Sequence, residues 1–390
     1  MDLGGAERTT LEMTRAIIAA GGQAVVVTSG GRLAEGVAAA GGHIEIMPVQ
    51  SKNPFVIWRN VARLAKVIQD RNVELVHARS RAPAWSAMAA ARRCGIPFVT
   101  TYHGAYAART AVKRFANSSM VRADKIIANS KFTADKITET YKTVENRIVV
   151  VSRGADLKEF SPAQVNTARV TALAKSWGLS RDPGSFVFLM PARFTEWKGH
   201  LLVVEALKQL KTSNVDENEK LSMRPAGQKQ NFSVVFVGDE GASSSFSARL
   251  KSEIGECGVH DMTSFVGHCA DMPAAYGLAD AVLSPSLRPE AFGRVAVEAG
   301  AMGKIAIVAD HGGARETIIP GETGFRHKPG EASDLARVMV NVAAMSGEAK
   351  AAMEARAKEN VRQNFSTQAM AEATLGVYKS LLEYPREIGR

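Results

Sequence analysis

Residues 288–299 read Arg-Pro-Glu-Ala-Phe-Gly-Arg-Val-Ala-Val-Glu-Ala and follow a short apolar run at 281–283. The run predicts a buried strand, and the Ala/Val-rich end of the quoted stretch predicts a helix that begins near Phe292. Glu290 then precedes the helix and Glu298 lies in its second turn, at most about 12 Å away. The unpaired N–H groups of a helix N-terminus attract phosphate. One carboxylate can hold the hydroxyls of one sugar and the other those of a second, with a diphosphate between them.

The same pattern also fits an ordinary helix with one glutamate at its N-terminus and another on its surface. A second strand end favours the ligand interpretation. The apolar run 186–190 is followed by Arg193 and Lys198, and both types of cation bind phosphate well. Two solvated charges ahead of the next helix are the alternative, although cations there oppose the helix dipole. We predict that Arg193 and Lys198 bind the diphosphate.

Strands and helices alternate through both halves of the chain. In the second half, apolar runs predict further strands at 234–239 and 305–309, and residues 265–268 end a shorter strand. In the first half, strands are predicted at 24–28, 43–47, 75–77, 98–102, 125–128 and 148–151. This alternation is typical of doubly wound parallel sheets, in which ligands bind at the carboxyl ends of the strands.

The order and spacing of these motifs resemble the donor-binding half of family-four retaining glycosyltransferases, which have the GT-B fold. The matching segments are 192–199, 236–238, 265–267, 289–298, 312–316 and 321–325, with 4–7, 103–104 and 152–156 in the first half. The resemblance covers nearly the whole chain. It implies an α/β protein of two Rossmann-like domains, each with a doubly wound parallel sheet, and a cleft between them.

The resemblance also implies the division of the chain. We expect an N-terminal acceptor-binding domain at 1–165, a C-terminal nucleotide-sugar-binding domain at 166–366, and a helix at 367–390 that packs back on the first domain. The boundary should fall in the mixed polar stretch 161–183, and the polar region 212–231 predicts a surface loop. Relatives usually begin with an apolar strand before the Gly4-Gly5 turn, and this chain reads Met1-Asp2-Leu3 there. We therefore expect the first domain to lack that strand, through a misassigned start or a genuine shortening, which exposes two strand edges.

The reaction implied is transfer of a hexose from a nucleoside diphosphate with retention, through attack and departure on one face of the sugar. His103 and Glu290 are the predicted catalytic residues, next to the transferred sugar and the leaving phosphate. For His103 the alternative is a strand-end histidine that bonds only to the main chain. The predicted donor-binding residues are Gly4, Gly5, Arg193, Lys198, Gly267, Phe292, Gly293, Arg294 and Glu298, with Glu298 on the ribose.

Composition narrows the class of protein. The 390 residues are 46% hydrophobic, enough for two cores. Three scattered cysteines argue against a disulfide framework and a zinc site. No apolar run reaches about 18 residues, so no membrane-spanning helix is predicted, and no signal peptide is recognised. No Asp-x-Asp pattern follows a predicted strand. We therefore predict a cytoplasmic enzyme without a metal site or cofactor.

The positive charge of the chain lies in its first part. Residues 1–160 hold 23 Lys and Arg against 13 Asp and Glu, whereas residues 161–390 hold 26 of each. A basic acceptor domain suits an anionic acceptor, an anionic membrane surface or both, and nucleic acid is not predicted because no binding motif accompanies the charge. Arg79 and Arg81 are the acceptor-side candidates. Residues 109–125 predict either a basic helix lying on the inner membrane or an ordinary solvated helix.

Segments 77–85 and 100–104 are similar to lipopolysaccharide-core mannosyltransferases of alphaproteobacteria, which use GDP-mannose and an acidic sugar on lipid A. This resemblance implies mannosyl transfer to a glycan or lipid-linked acceptor in lipopolysaccharide core biosynthesis. Three alternatives stay open. They are a UDP-sugar-dependent hexosyltransferase of another surface glycan, a nucleotide-sugar epimerase, and an inactive binding protein.

Overall fold

The chain folds into two compact α/β units. The computed structural model describes residues 5–31, 33–104, 110–142, 144–179, 185–213, 231–239 and 244–383. Unit 1 holds Met1–Arg153 and Thr367–Arg390, and unit 2 holds Gly154–Ser366. The first segment of unit 1 therefore ends at residue 153, ahead of the predicted boundary at 165, and the C-terminal helix forms its second segment.

Strands and helices alternate along most of the described residues, and three consecutive helices follow the last strand. The strands are β1 (Val25–Thr28), β2 (His43–Ile46), β3 (Val76–Ala78), β4 (Phe98–Tyr102), β5 (Lys125–Ala128), β6 (Ile148–Val150), β7 (Ser185–Pro191), β8 (Asn231–Val237), β9 (Thr263–Phe265), β10 (Ala281–Ser284), β11 (Ile305–Ala309) and β12 (Gly324–His327). The helices are α1 (Gly5–Ala19), α2 (Leu33–Ala39), α3 (Pro54–Asp70), α4 (Arg81–Arg93), α5 (Ala111–Asn117), α6 (Lys131–Thr140), α7 (Thr167–Ser176), α8 (His200–Ser213), α9 (Ser244–Glu256), α10 (Met272–Leu278), α11 (Arg294–Ala301), α12 (Ala332–Ala343), α13 (Gly347–Asn364) and α14 (Thr367–Leu382).

The strands of unit 1 form two parallel sheets. β1 pairs with β2, while β3, β4, β5 and β6 form a four-stranded sheet in that order. No ladder joins β1 to β3 within the described ranges. An apolar cluster that includes Leu64 of α3 and Ala90 of α4 nevertheless contacts both Val27 of β1 and Val76 of β3. One core therefore supports both sheets.

Helix α14 packs against α1 in unit 1. Met370 and Val377, which lie seven residues apart, fall on one face of the helix. They share a buried cluster with Met13 of α1, Val99 of β4 and Val151. The C-terminal helix therefore covers one face of the four-stranded sheet.

Unit 2 is built on a six-stranded parallel sheet with the order β12-β11-β10-β7-β8-β9. Its inner strands are apolar along both faces because helices cover both faces of the sheet. Leu283 and Ile307 enter one core, whereas Val282 and Val308 enter the other. The chain proceeds outward from β7 to β9 and then returns to the other side of β7 at β10. Such a switch point is where doubly wound sheets bind ligands.

The polar stretch 161–183, expected as a domain boundary, contains helix α7 of unit 2. Asn166 caps this helix, since its side chain accepts from the Arg169 main-chain N–H at 2.9 Å. Arg169 also pairs with Asp271 at 2.6 Å. The short helix escaped prediction because its few apolar residues form no clear periodicity. Most of the predicted loop at 212–231 lies outside the described residues.

None of the helices in the described part of the chain is long and apolar enough to cross a membrane.

Candidate functional site

The loops that follow neighbouring strands of unit 2 contact each other main chain to main chain. Gly238, after β8, lies against Ala192, after β7, and a Cβ at Gly238 would come within 2.0 Å of the Ala192 carbonyl oxygen. The Ala192 N–H donates to the Val237 carbonyl at 2.8 Å, and the Gly238 N–H donates to the Gly267 carbonyl at 2.8 Å. Predicted donor residue Gly267 thus belongs to a continuous layer at the carboxyl edge of the sheet.

The same close contact occurs at the switch point of the sheet. A Cβ at Gly199 would lie 2.1 Å from the Pro285 carbonyl oxygen, and Gly199 has a φ of +87°. Only glycine meets both requirements without strain. A main-chain hydrogen bond of 2.7 Å from Leu287 to Trp197 joins the same two loops. The loop of Lys198 is therefore fixed against the loop after β10.

The loop after β11 also contacts the segment that contains Glu290. Gly312 and Gly313 contact the main chain of residues 289–292, and a Cβ at Gly313 would come within 2.4 Å of the Ala291 carbonyl oxygen. The Gly313 N–H donates to the Glu290 carbonyl at 2.7 Å. Three loops from three strands therefore determine where Glu290 lies.

The side chains of Lys198 and Glu290 form an ion pair. The Lys198 ammonium donates to Glu290 Oε1 at 2.7 Å, and the Ser286 hydroxyl donates to the same oxygen. The two charged side chains are only 15% and 13% exposed. His311 bonds to the Ser286 carbonyl at 2.7 Å through its ring. The predicted phosphate-binding cation and sugar-binding acid are thus one preorganised group.

Glu298 occupies the second turn of α11 and is 9% exposed. Its Oε1 accepts from Arg294 Nε at 2.6 Å, and its Oε2 accepts from the Tyr276 hydroxyl at 2.9 Å. Burial, together with the adjacent carboxylate, raises the pKa of Tyr276 well above its ordinary value, so the phenol stays a proton donor. Each carboxylate oxygen keeps a further lone pair, which can accept from a ribose hydroxyl. Arg294, predicted to bind the diphosphate, is engaged with Glu298.

The other predicted donor residues have different surroundings. Arg193 follows β7 and is exposed. The ring of Phe292 lies in a core of unit 2 and is 6% exposed, so only its main chain remains for a ligand. Gly293, with a φ of +124°, precedes the first residue of α11. Gly5 begins α1, and Gly4 lies outside the described residues.

His200, which was not predicted from the sequence, is fully buried at the start of α8. The rings of Phe194, Phe236 and Phe246 surround it, with centroids 5.1, 5.4 and 5.9 Å away. Burial, followed by the charge of Lys198, lowers the pKa of His200 to about 4. A neutral imidazole therefore packs beneath the loop that carries the ion pair.

Polar side chains also follow the strands of the four-stranded sheet in unit 1. Arg79 follows β3, His103 follows β4, and Arg153 comes three residues after the end of β6. His77 of β3 bonds through its ring to the Tyr378 hydroxyl of α14 at 2.6 Å. The predicted catalytic histidine and one predicted acceptor residue therefore lie at the carboxyl edge of this sheet.

His103 carries an unused hydrogen-bond donor. Arg153 Nη2 lies 2.6 Å from His103 Nδ1, and a guanidinium can only donate, so a neutral ring has its proton on Nε2. Burial, then the charges of Arg153 and Arg79, lowers the pKa of His103 well below its ordinary value and keeps the ring neutral. Nε2 is buried and has no partner within the described ranges. This N–H suits a ligand oxygen.

Arg81, the other predicted acceptor residue, begins α4 and is exposed. Its Nη1 lies 3.4 Å from Asn117 Oδ1. Of the two candidates, only Arg79 has a charge that acts on His103. Arg153 was missed because an arginine in the run Ser-Arg-Gly reads as an ordinary loop residue.

Glu298→Gln is expected to weaken binding of a nucleoside diphosphate about 10- to 100-fold, because a hydrogen bond to a charged group contributes about 1.5–3 kcal/mol. Tyr276→Phe, which removes only a positioning bond, should have a smaller effect in the same direction. Calorimetry with ribose and 2′,3′-dideoxyribose nucleotides checks the assignment. The parent should prefer the ribose form and Glu298→Gln should not. An equal preference in both proteins would exclude the ribose role.

Comparisons with known proteins identify the family of the chain. The family model for Glycosyltransferase Family 4 matches residues 3–159, and the model for Glycosyl transferases group 1 matches residues 174–363. A solved glycosyltransferase from Rickettsia africae ESF-5 is 32% identical, with a TM-score of 0.87 over 98% of this chain and 97% of that chain.

Other known proteins resemble the chain at lower identity. D-inositol 3-phosphate glycosyltransferase 1 of Catenulispora acidiphila is 28% identical over 75% of this chain and 69% of its own length. The chain spans only 41% of the corresponding enzyme of Salinispora arenicola, at 30% identity. Anabaena Alr3699/HepE in complex with UDP-glucose has a TM-score of 0.77 at 22% identity, over 97% of this chain and 96% of that chain. The two consecutive family models and the Rickettsia structure show that the chain belongs to the family-four type of glycosyltransferases and has the GT-B fold.

Proposed function

We propose that this glycosyltransferase moves a hexose from a nucleoside diphosphate sugar to a glycan or lipid-linked acceptor, with retention at the anomeric carbon. The observation that carries the proposal is the Lys198–Glu290 pair, held by three loops at the switch point of the unit 2 sheet. A cation next to an acid at this point suits a phosphate attached to a sugar. The Rickettsia relative, a glycosyltransferase, supports this class of reaction.

Unit 2 supplies the donor site in this proposal. Glu298 holds the ribose, and Glu290 bonds hydroxyls of the transferred sugar. Arg193, Lys198 and the N-terminus of α11 stabilise the negative charge that develops on the leaving diphosphate. No metal ion is assigned to this task, so activity should survive a chelator. His103 of unit 1 donates from Nε2 to the transferred sugar or the leaving phosphate.

The proposed donor is GDP-mannose, and the proposed pathway is lipopolysaccharide core synthesis. The similarity of segments 77–85 and 100–104 to core mannosyltransferases supports this choice. A UDP-hexose is the second candidate, because Anabaena HepE was crystallised with UDP-glucose. The name of the Catenulispora relative includes a phosphorylated compound, D-inositol 3-phosphate, which supports an anionic acceptor in this proposal.

A thermal-shift panel of GDP-, UDP- and ADP-sugars, followed by product analysis with and without acceptor, tests this function. A ligand at 100 times its Kd stabilises a protein by about 2.7 kcal/mol. We expect GDP-mannose to raise Tm most. A shift with UDP-glucose alone would replace GDP-mannose by a UDP-hexose. A new sugar nucleotide formed without acceptor would indicate an epimerase, and binding without any product would indicate an inactive protein.

We also propose that unit 1 attaches peripherally to the inner membrane through α5. Val112 and Phe115 of this helix are 78% and 64% exposed. Lys113 and Arg114 lie between them in the sequence. Exposed apolar side chains among cations are typical of helices that lie on an anionic bilayer. Arg109, predicted to share this surface, lies outside the described residues.

Replacing Lys113, Arg114 and Arg122 by Gln is expected to release the protein from anionic vesicles, because each charge contributes about 1 kcal/mol near such a surface. Binding by the parent should weaken with salt, since the Debye length falls from about 10 Å at 0.1 M to about 3 Å at 1 M. Vesicle co-sedimentation measures both effects. In the matched control, Gln replaces Lys208, Arg337 and Arg362 of unit 2, which also removes three positive charges. If the parent and the triple variant bind the vesicles equally well, the positive charge of unit 1 would have to be explained by the acceptor alone.

A further inference from the structure

The aromatic residue next to Lys198 lies outside the apolar cores of unit 2. Trp197 is half-buried, and it belongs to neither of the two cores that the described residues of this unit form. Trp177, by comparison, packs against one of these cores. The main chain of Trp197 has a structural task, since its carbonyl accepts from the Leu287 N–H at 2.7 Å. The position of the indole ring needs an explanation other than core packing.

The indole ring of Trp197 contacts the ammonium of Lys198. Lys198 Nζ lies 4.4 Å from the centroid of the ring, a closer approach than the 5.1 Å between Lys350 and Phe186. An aromatic face attracts a cation, and tryptophan does so most strongly. Trp197 and Lys198 are consecutive residues of one helical turn, in which neighbouring side chains do not face each other. The lysine stem therefore folds back over the ring, and the contact is not a mere result of adjacency.

The contact with the ring adds a second restraint to the ammonium. Lysine carries a compact charge on a flexible stem, with three donors that rotate freely. The bond to Glu290 Oε1 at 2.7 Å engages one donor and leaves the other two free to turn. The indole ring occupies a further side of Nζ. Fewer directions therefore remain for the N–H that a ligand would receive.

The neutral ring holds the cation without repelling an anionic ligand. Among the described residues, Glu290 is the one carboxylate that pairs with Lys198. Glu196 lies two residues before Lys198, but it pairs with Arg249 at 3.2 Å instead. A second carboxylate at Nζ would also hold the ammonium, but it would oppose the attraction between Lys198 and a phosphate. The indole ring therefore suits an ammonium that has to be fixed in place and still attract an anion.

We propose that Trp197 is the positioning residue of Lys198 and holds its ammonium towards the diphosphate of the donor. This inference rests on the proposed function, in which Lys198 binds that diphosphate. Trp197 acts only through Lys198, so it should have no effect on ligand binding once the ammonium is removed. A purely structural tryptophan would instead affect stability whether or not the ammonium is present.

Calorimetry with GDP and UDP as probes tests this role in the full chain. We expect Trp197→Leu to weaken binding of the preferred nucleotide about fivefold, the order expected from one cation–π contact. Trp197→Phe keeps a weaker aromatic face and should retain part of the affinity. Trp177→Leu is the matched control, because it makes the same change against a core of unit 2. It should lower Tm and leave nucleotide affinity unchanged.

Two further measurements distinguish positioning from packing. In the Lys198→Met background, Trp197→Leu should cause no further loss of nucleotide affinity, because coupled residues lose a shared effect only once. Fluorinated tryptophans at position 197 withdraw electron density from the ring at nearly constant size. Nucleotide affinity should therefore fall with each added fluorine.

Three results would overturn the role of Trp197 alone. They are full nucleotide affinity in Trp197→Leu, an equal loss in the parent and Lys198→Met backgrounds, and an affinity that does not change with fluorination. In each case Lys198→Met still weakens nucleotide binding, so the proposed donor site stands. If Lys198→Met has no effect, or if the parent binds neither nucleotide, the proposed donor site itself is wrong and the role of Trp197 is wrong with it.

Discussion

Lys198→Met is expected to lower kcat about 100- to 1000-fold, the range found when one preorganised electrostatic group is removed from a transition state. The ammonium lies at the switch point of the unit 2 sheet, where the leaving diphosphate is proposed to develop charge. Affinity for the nucleoside diphosphate should also fall, although less than kcat, because the charge on the leaving group is greatest in the transition state. Initial rates with donor and acceptor, together with calorimetry, separate the two effects.

The partner of Lys198 determines the controls for this experiment. Lys198→Met leaves the mostly buried Glu290 carboxylate unpaired, which destabilises a protein by about 3–5 kcal/mol. Glu290→Gln should lower kcat with little change in nucleotide affinity. The double variant should regain stability relative to Lys198→Met without regaining activity. Arg193→Gln removes an exposed cation of the same region and should mainly weaken nucleotide binding. Additive stability effects in the double variant would show that the pair does not act as a unit.

Gly199→Ala is expected to lower both stability and activity strongly. The new Cβ would lie 2.1 Å from the Pro285 carbonyl oxygen, in a residue with a φ of +87°. The two loops have to separate to admit it, which moves Lys198 away from Glu290. A misplacement of about 1 Å at a reacting centre can cost about 100-fold in rate. Urea unfolding and steady-state kinetics measure the two losses.

Gly178→Ala is the matched control for this substitution. Gly178 also belongs to unit 2 and has a φ of +66°, but nothing lies within 4 Å of the position of its Cβ. Its substitution carries only the strain of a left-handed residue, about 1–2 kcal/mol, and should leave kcat unchanged. Equal losses in the two variants would show that backbone strain, and not contact between the loops, explains the effect of Gly199→Ala.

Clear apolar runs allowed parts of the four-stranded and six-stranded sheets to be predicted from the sequence. The bounds of β4, β5 and β11 match the predicted strands because polar residues or proline border each run. Residues 265–268 were predicted to end a short strand, and β9 spans Thr263–Phe265, so that strand ends within the predicted segment. The apolar pattern did not indicate the first residue of this short strand.

The surroundings of the site residues could not be predicted in the same way. Lys198 and Glu290 were each recognised as ligand candidates, but their pairing joins residues 92 positions apart. Tyr276 lies in a short apolar helix, where a tyrosine reads as an ordinary core residue. Its bond to Glu298 depends on the packing of α10 against the rest of unit 2. Local sequence therefore indicated the candidate site residues, whereas long-range packing determined which side chains form bonds with them.

The buried imidazole of His200 makes unit 2 sensitive to acid. Its pKa of about 4 lies below the ordinary value of about 6.5, so the unfolded chain takes up a proton first as pH falls. The contribution of neutral His200 to the free energy of unfolding is fully present above about pH 6.5. It is lost as the pH falls from about 6.5 to 4, by about 3 kcal/mol in total. Between pH 7.5 and 4.5, urea unfolding should show a larger loss in the free energy of unfolding for the parent than for His200→Phe. Equal losses in the two proteins would show that His200 is not the cause. Mild acid is therefore expected to inactivate this enzyme, because it adds a charge to an imidazole that is packed among three phenylalanine rings beneath the loop of Lys198.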